Sequence, residues 1–411
     1  MSDRKRIVFV NLHSDWMLVK TASVYIFKFS AAIKHKYLLD YLLKHPDKYE
    51  ICNYINDRGF SWLRNDNKPL MKFLNLFRFA EYRKTMKVNG IDRKKITLIK
   101  KSSEIRPDDL VILYNICDDN YRGMSGIHAF KALSMLHFHG RENEDKVIND
   151  ANVSCLFGEV NLETNCELYR RYYKINKPWV VHPFVYAERF QNRKPFAERK
   201  NMAFSTGTIT YKLHKEFLDT YGDSCDQPSR KFIKDNSEFF KDTIYCTSSD
   251  YLEDNAGKKI NPKDFIFVKL YKRIYNRFHV GKQKKYYSFD MVEAFNDYKM
   301  CIVGEEILGI PGIGFVEGMA CGCAYIGLDM PAYRDWGLIP GTHYITYDGT
   351  KEDLKRVIEY YQMDEHQAEL EQIAKTGCEY VKTHFNGDAV AEYLLNRLVE
   401  QQKKWLAQNR E

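Results

Sequence analysis

Short apolar runs set off by charge, glycine or asparagine recur along this chain and alternate with longer segments of helical length. Ile7–Val10 is bounded by charge before it and by Asn11 after it, and reads as a buried strand. Asp109–Tyr114 and Val153–Phe157 read the same way, while Lys20–Leu43 and His128–Phe138 read as helices. Pro178–Pro183 is extended and proline-flanked, which suits a connector. Beyond it the pattern restarts. Met202–Ser205 is a predicted strand, Thr206-Gly207-Thr208 a turn and Lys212–Tyr221 a helix. Ile244–Thr247, Phe265–Leu270, Met300–Val303 and His343–Tyr347 supply further strands. Thr350 caps a helix with Asp353 three residues on, and Leu354, Val357, Ile358 and Tyr361 form its apolar stripe. Helical sequence from about Asp388 to Gln408 ends the chain.

Two rounds of strand and helix predict an α/β protein with two doubly wound, Rossmann-like domains. Residues 1–183 form the first domain, 184–385 the second, and 386–411 a terminal helix. Ligands of such sheets bind at the carboxyl ends of the strands, here expected to be a cleft between the domains.

At 411 residues the chain exceeds one ordinary core, and 44% apolar with 14% aromatic content is ample for packing. No run approaches the roughly 18 apolar residues of a membrane span. The N-terminus begins a strand instead of a secretory segment, and the ten cysteines follow no framework spacing. A cytoplasmic protein with reduced, buried thiols is expected. The net charge of +8 is uneven, with basic runs at 83–101 and 263–285 that interleave Lys and Arg with apolar or aromatic residues. A diphosphate substrate, an anionic membrane at the inner face, nucleic acid or plain solvent suits such runs. Nucleic acid ranks last, because no helix-turn-helix, zinc finger or RNA-binding signature accompanies them.

The most informative stretch is Val303–Asp329, VGEEILGIPGIGFVEGMACGCAYIGLD. A glycine-rich turn opens a short helix carrying Glu317, a small-residue elbow (Ala320-Cys321-Gly322-Cys323) follows, and then a buried strand. Such a turn presents N–H groups, here at Gly312, Ile313, Gly314 and Phe315, to an anion such as a diphosphate. Glu317 is placed to accept bonds from sugar hydroxyls. A nucleotide-sugar site is the natural reading. Cys321-Gly322-Cys323 has no second pair and is not a zinc site. No Asp-x-Asp follows a strand, so helix dipoles and basic residues, not a divalent ion, are expected to neutralise the diphosphate.

GFVEGMACGCAYIGLD resembles the donor-binding segment of group 1, retaining nucleotide-sugar glycosyltransferases of the GT-B fold. The resemblance covers roughly Met202–Leu406 and is topological over the first 180 or so residues. It implies a terminal helix, opened by Thr383-His384-Phe385, that crosses back onto the N-terminal domain. It implies sugar transfer from a nucleoside diphosphate sugar to a hydroxyl of a glycan or lipid-linked acceptor, with domain closure excluding water and with retention of anomeric configuration. Capsule, lipopolysaccharide or another surface polysaccharide is the expected pathway. The family also places a catalytic or sugar-contacting histidine at the cleft, for which His137 and His139 are candidates and His13 a lesser one. Asp118-Asp119 reads better as a helix cap.

Two departures qualify this. The family's first glutamate falls at Gly309, with Glu305 and Glu306 nearby as substitutes. The glycine-rich loop after the first strand is replaced by Asn11–Asp15. The phosphate-binding cation after Gly207-Thr208 is matched by Lys212, with Lys269 or Arg273 as stand-ins. A nucleotide-sugar epimerase and a non-catalytic nucleotide-sugar or glycan binder share the same donor features and stay open.

Overall fold

The structure is a computed structural model that describes residues 4–12, 36–55, 82–83, 85–87, 89–113, 124–135, 138, 144–250, 265–279 and 290–409. His13, Asp118, Asp119, His137 and His139 lie outside the described residues. The chain divides into two compact units. One comprises residues 1–161, 169–185 and 387–411; the other comprises 162–168 and 186–386.

The first unit contains β1 (Lys5–Val10), β2 (Tyr49–Tyr54), β3 (Ile96–Ile99), β4 (Leu110–Leu113), β5 (Phe130–Ser134), β6 (Cys155–Gly158) and β7 (Trp179–Val181). These strands pair in parallel in the order β3-β2-β1-β4-β5-β6-β7. A parallel sheet is covered on both faces, so β4, β5 and β6 are buried at every residue. The terminal helix Gly387–Gln408 belongs to this unit. Its Ala391, Leu394, Leu395 and Leu398, spaced by three and four, join the core of Ile7, Phe9, Leu110 and Phe130. Gln402 Nε2 then donates to the carbonyls of Asp108 (3.1 Å) and Asp109 (2.8 Å), pinning the last turns to the start of β4.

The second unit contains β8 (Lys200–Ser205), β9 (Thr208–Ile209), β10 (Ile244–Cys246), β11 (Ser249–Asp250), β12 (Tyr298–Ile302), β13 (Ala324–Leu328) and β14 (Ile345–Tyr347). Five of them form a parallel sheet ordered β10-β8-β12-β13-β14, and β9 pairs with β11. From β8 the chain moves outward to β10, then returns to the other side of β8 with β12. The strand order therefore reverses between β8 and β12, and the loops leaving these two strands part to open a crevice at their carboxyl ends. Two doubly wound α/β units are as the alternation of runs predicted.

Several elements differ from their sequence reading. His128–Phe138, expected as a helix, contains β5. A fully buried strand lacks the alternation that would separate it from a helix, and its one charge, Lys131, is hidden by donating to the carbonyls of Met124 (3.0 Å) and Ile127 (2.8 Å). Phe265–Leu270, expected as a strand, leads into the helix Ile266–His279 and is helical from Ile266 on, with Phe267, Leu270, Tyr271 and Ile274 at helical spacing. The expected connector Pro178–Pro183 contains β7, an edge strand, where proline at the ends leaves the ladder intact. Thr383–Phe385 closes the helix Gln367–His384 rather than opening the last one. Among the described residues no helix is long and apolar enough to cross a membrane.

Eight of the nine described cysteines are buried and all are free thiols, Cys246 being half-exposed. Burial pushes Cys155 and Cys321 up to about 12 and Cys52 up to about 11. A raised folded pKa stabilises fully below the unfolded value, near 9, and the contribution is lost as pH climbs towards the folded value. Lys131, pushed down to about 8 by burial, and Lys5, lowered for the same reason, act in the opposite sense, but they are two groups against six thiols, since burial also raises Cys225, Cys301 and Cys378. The melting temperature is therefore expected to fall steeply between about pH 9 and 11, with a shallower slope in the Cys155→Ala/Cys321→Ala variant. Differential scanning fluorimetry across that range checks it, and equal slopes in the two proteins would remove the thiols as the cause.

Candidate functional site

The crevice at β8 and β12 is built from glycines and one arginine. β8 ends in buried Ser205, and Thr247 Oγ1 donates to Thr206 Oγ1 at 3.0 Å, tying the exit of β10 to that of β8. Gly207 follows with φ +136°, a backbone that side chains rarely adopt. The helix Pro228–Asp235 begins with proline at its first turn and carries Arg230 there. Arg230 Nε donates to the Val303 carbonyl at 2.5 Å and Nη1 to the Thr208 carbonyl at 2.9 Å. One guanidinium thus joins the loop after β8 to the loop after β12.

The surrounding glycines explain how it fits. A Cβ on Gly207 would stand 2.6 Å from the guanidinium carbon, one on Gly304 3.0 Å from Arg230 Cγ, and one on Gly312 2.7 Å from Nη2. Three glycines, one from the loop after β8 and two from the loop after β12, leave the space that Arg230 fills. Carbonyl oxygens are neutral acceptors, so these two bonds orient the guanidinium without cancelling its charge. Gly314 serves packing instead, since a Cβ there would meet the Val303 side chain at 3.0 Å.

Glu305 is the next residue of the β12 loop and is only 4% exposed. Its Oε1 accepts from the Tyr325 hydroxyl (3.0 Å), the Tyr333 hydroxyl (2.9 Å) and the Leu328 amide (2.9 Å). Burial first, and the Glu305 charge second, hold both tyrosines well above their usual range as neutral phenols able to donate. Phe315 packs beside them at 5.4 Å from the Tyr325 ring and stacks on Trp336 at 5.6 Å. Glu305 therefore braces the β12 loop against the exit of β13. Glu306 is half-buried and pairs with Ile310 in an isolated antiparallel bridge, making the tight loop that leads to Gly312. Gly309 at its tip has φ +75°, and a side chain there would collide with the Asn165 carbonyl. The position where the family has its first glutamate is closed to one by the backbone.

The other expected residues fall as follows. Thr208 and Gly207 lie at Arg230, and Gly312, Ile313, Gly314 and Glu317 are half-buried around the short helix Gly314–Ala320. Phe315 is fully buried and its amide already donates to Gly312, so neither its ring nor its N–H points to a ligand. Lys212 Nζ pairs with Asp226 at 3.0 Å, with both side chains largely buried, and its charge is compensated there. Lys269 and Arg273 lie on the helix Ile266–His279, not on a strand leading to the crevice. The elbow Cys321-Gly322-Cys323 is at the amino end of β13, where buried Arg199 donates to the Cys321 carbonyl at 2.8 Å. Among the described residues no cluster of three or more His, Cys, Asp or Glu is arranged to hold a metal.

Sequence reasoning missed Arg230. Its only signal was a proline-started helix with a basic residue in its first turn; which loops it joins is decided by the crossing of three segments far apart in the chain.

The reversal of strand order beside Arg230 is the place where doubly wound α/β folds form their ligand crevices. Residues 246–396 match the family model described as "Glycosyl transferase-like". In fold the chain is similar to a sucrose-phosphate synthase from Thermosynechococcus elongatus, at 12% identity and a TM-score of 0.51, covering 98% of this chain and 100% of that one. It is similar to the same degree to a glycosyltransferase from Rickettsia africae ESF-5, at 12% identity and a TM-score of 0.51, covering 98% and 99% of the two chains. No curated protein matches the chain. The fold is that of the GT-B glycosyltransferases and the segment 246–396 is glycosyl transferase-like in sequence, so the group 1 resemblance read from residues 303–329 is borne out.

Removing Glu305 leaves the Leu328 amide without its acceptor and the Tyr325 and Tyr333 hydroxyls, 2.7 Å apart, with one acceptor between them for two donors. Glu305→Ala is expected to destabilise the intact chain by about 3 kcal/mol or more, and Glu305→Gln by less because an acceptor oxygen remains. Urea unfolding measures both, and a loss under about 0.5 kcal/mol for the alanine variant would contradict the bracing role.

Proposed function

We propose that the protein is a glycosyltransferase moving a sugar from a nucleoside diphosphate sugar to a hydroxyl of a glycan or lipid-linked glycan in surface polysaccharide synthesis, with capsule or lipopolysaccharide as the pathway. The observation that carries the donor reading is Arg230, an oriented cation at the switch point of the sheet whose β12, β13 and β14 fall in the glycosyl transferase-like segment. Breaking the bond to a diphosphate places negative charge on the leaving oxygens. A cation held beforehand by neutral carbonyls stabilises that charge with little reorganisation. In this reading the diphosphate lies against Arg230 and the loops carrying Gly207, Gly304 and Gly312, and Glu317 orients the ribose. Charge compensation by Arg230 gives a divalent ion no necessary part.

Glu306 takes the carboxylate's place towards the sugar in this reading, since Glu305 is committed to Tyr325, Tyr333 and Leu328. His137 and His139 keep the sugar- or acceptor-contacting part that the resemblance gives to histidines. Retention of configuration follows from the same resemblance. A lipid-linked acceptor would bring the chain to the inner face of a membrane.

Thermal shifts of the purified chain with a panel of nucleoside diphosphate sugars test this. One donor is expected to raise the melting temperature, with slow donor hydrolysis that survives a chelator. Arg230→Ala should weaken that donor about tenfold or more, as for a lost charge-assisted bond, and Arg230→Lys should recover part of it. If no donor stabilises the wild type, or Arg230→Ala binds it equally well, the proposal fails.

A further inference from the structure

The two basic runs have different fates. In the first, Met86, Ile91, Ile96 and Ile99 are buried in the first unit, and Arg93–Lys95 is a single turn capped by the Asp92 side chain. Among its described residues the apolar positions face the core. In the second, the helix Ile266–His279 turns its apolar side chains outward: Phe267 is 70% exposed, Tyr271 54%, Ile274 44% and Leu270 42%. Phe265, just before the helix, is also 70% exposed. At 3.6 residues per turn, Phe267, Leu270, Tyr271 and Ile274 lie along one side and Lys269 and Lys272 on the other. The helix sequence carries Lys269, Lys272, Arg273 and Arg277, with no Asp or Glu. A contiguous exposed aromatic stripe of this kind marks a contact surface.

We infer that this helix docks the protein on an anionic lipid surface, lying in the plane of the headgroups with Phe267, Leu270, Tyr271 and Ile274 at the acyl boundary. An aromatic and aliphatic face with Lys269 and Lys272 opposite it, in a helix without Asp or Glu, is the pattern of interfacial helices. Charge favours an anionic lipid surface: the helix sequence carries four Lys and Arg residues and no Asp or Glu, so an anionic surface attracts it, whereas a second copy of the same helix offers no acidic partner. The inference goes beyond the donor-site reading and does not depend on it. It assigns the contact to this helix and excludes the run 83–101, whose apolar residues are spent inside the fold.

Co-flotation of the intact protein with vesicles of phosphatidylcholine, with and without phosphatidylglycerol, tests it. Binding is expected only with phosphatidylglycerol and should weaken as salt is added. Each of Lys269→Gln and Lys272→Gln should lower the partition coefficient about fivefold. Phe267→Glu/Tyr271→Glu should abolish flotation with an unchanged melting temperature, because both side chains are already exposed. Tyr393→Glu, which removes an exposed aromatic in the other unit, should leave it intact. The inference is overturned if the wild type fails to float with anionic vesicles, floats equally with neutral ones, or is undisturbed by Phe267→Glu/Tyr271→Glu. It is overturned too if that variant merely converts a dimer to a monomer in sedimentation while the wild type ignores vesicles. A chain that floats but binds no nucleotide sugar loses only the transferase reading, and the converse result loses only this one.

Discussion

The reversal of strand order between β8 and β12 is the constraint on which the second unit depends. A parallel strand can be extended only by a crossover, and crossovers that proceed in opposite directions from one strand must leave their loops apart at its carboxyl end. That opening would be a hole in the fold if nothing filled it. Arg230 fills it, with its bonds to Thr208 and Val303 standing where a continuous loop layer would otherwise be. The glycines at 207, 304 and 312 follow from this filling, because any side chain at those points would occupy the guanidinium's place.

Charge is handled in opposite ways a few residues apart. Arg230 donates to two neutral carbonyls, which orient the guanidinium. Glu305 is buried and surrounded by donors, which spreads its charge over two phenols and an amide. Lys212 is matched with Asp226. Glu305 and Lys212 thereby avoid an uncompensated buried charge, and Arg230 stands half-buried where the loops after β8 and β12 meet. Glu306, on the loop after β12, and Glu317, on the helix that follows it, are half-buried.

Burial also sorts the basic segments. Residues 83–101 and 263–285 look alike as compositions, but Met86, Ile91, Ile96 and Ile99 of the first are buried in the first unit, whereas Phe267, Leu270, Tyr271 and Ile274 of the second are exposed on a helix.

The alternation of apolar runs was enough to determine two doubly wound α/β units, and the placing of β1, β4, β6, β8, β10, β12, β13 and β14 was legible because each is a short apolar run ended by polar or glycine residues. The motif at 312–323 was legible for the same local reason. Where period and burial conflict, the sequence was silent or misleading: β5 and the helix Ile266–His279 exchanged their expected states, and β2, β3 and the helix Gln367–His384 were not anticipated. Nothing local could identify Arg230, free Gly314 and Phe315 from a ligand-facing reading, or pair Lys212 with Asp226. Those outcomes arise from contacts between segments separated by tens of residues, which only the folded chain brings within hydrogen-bonding distance.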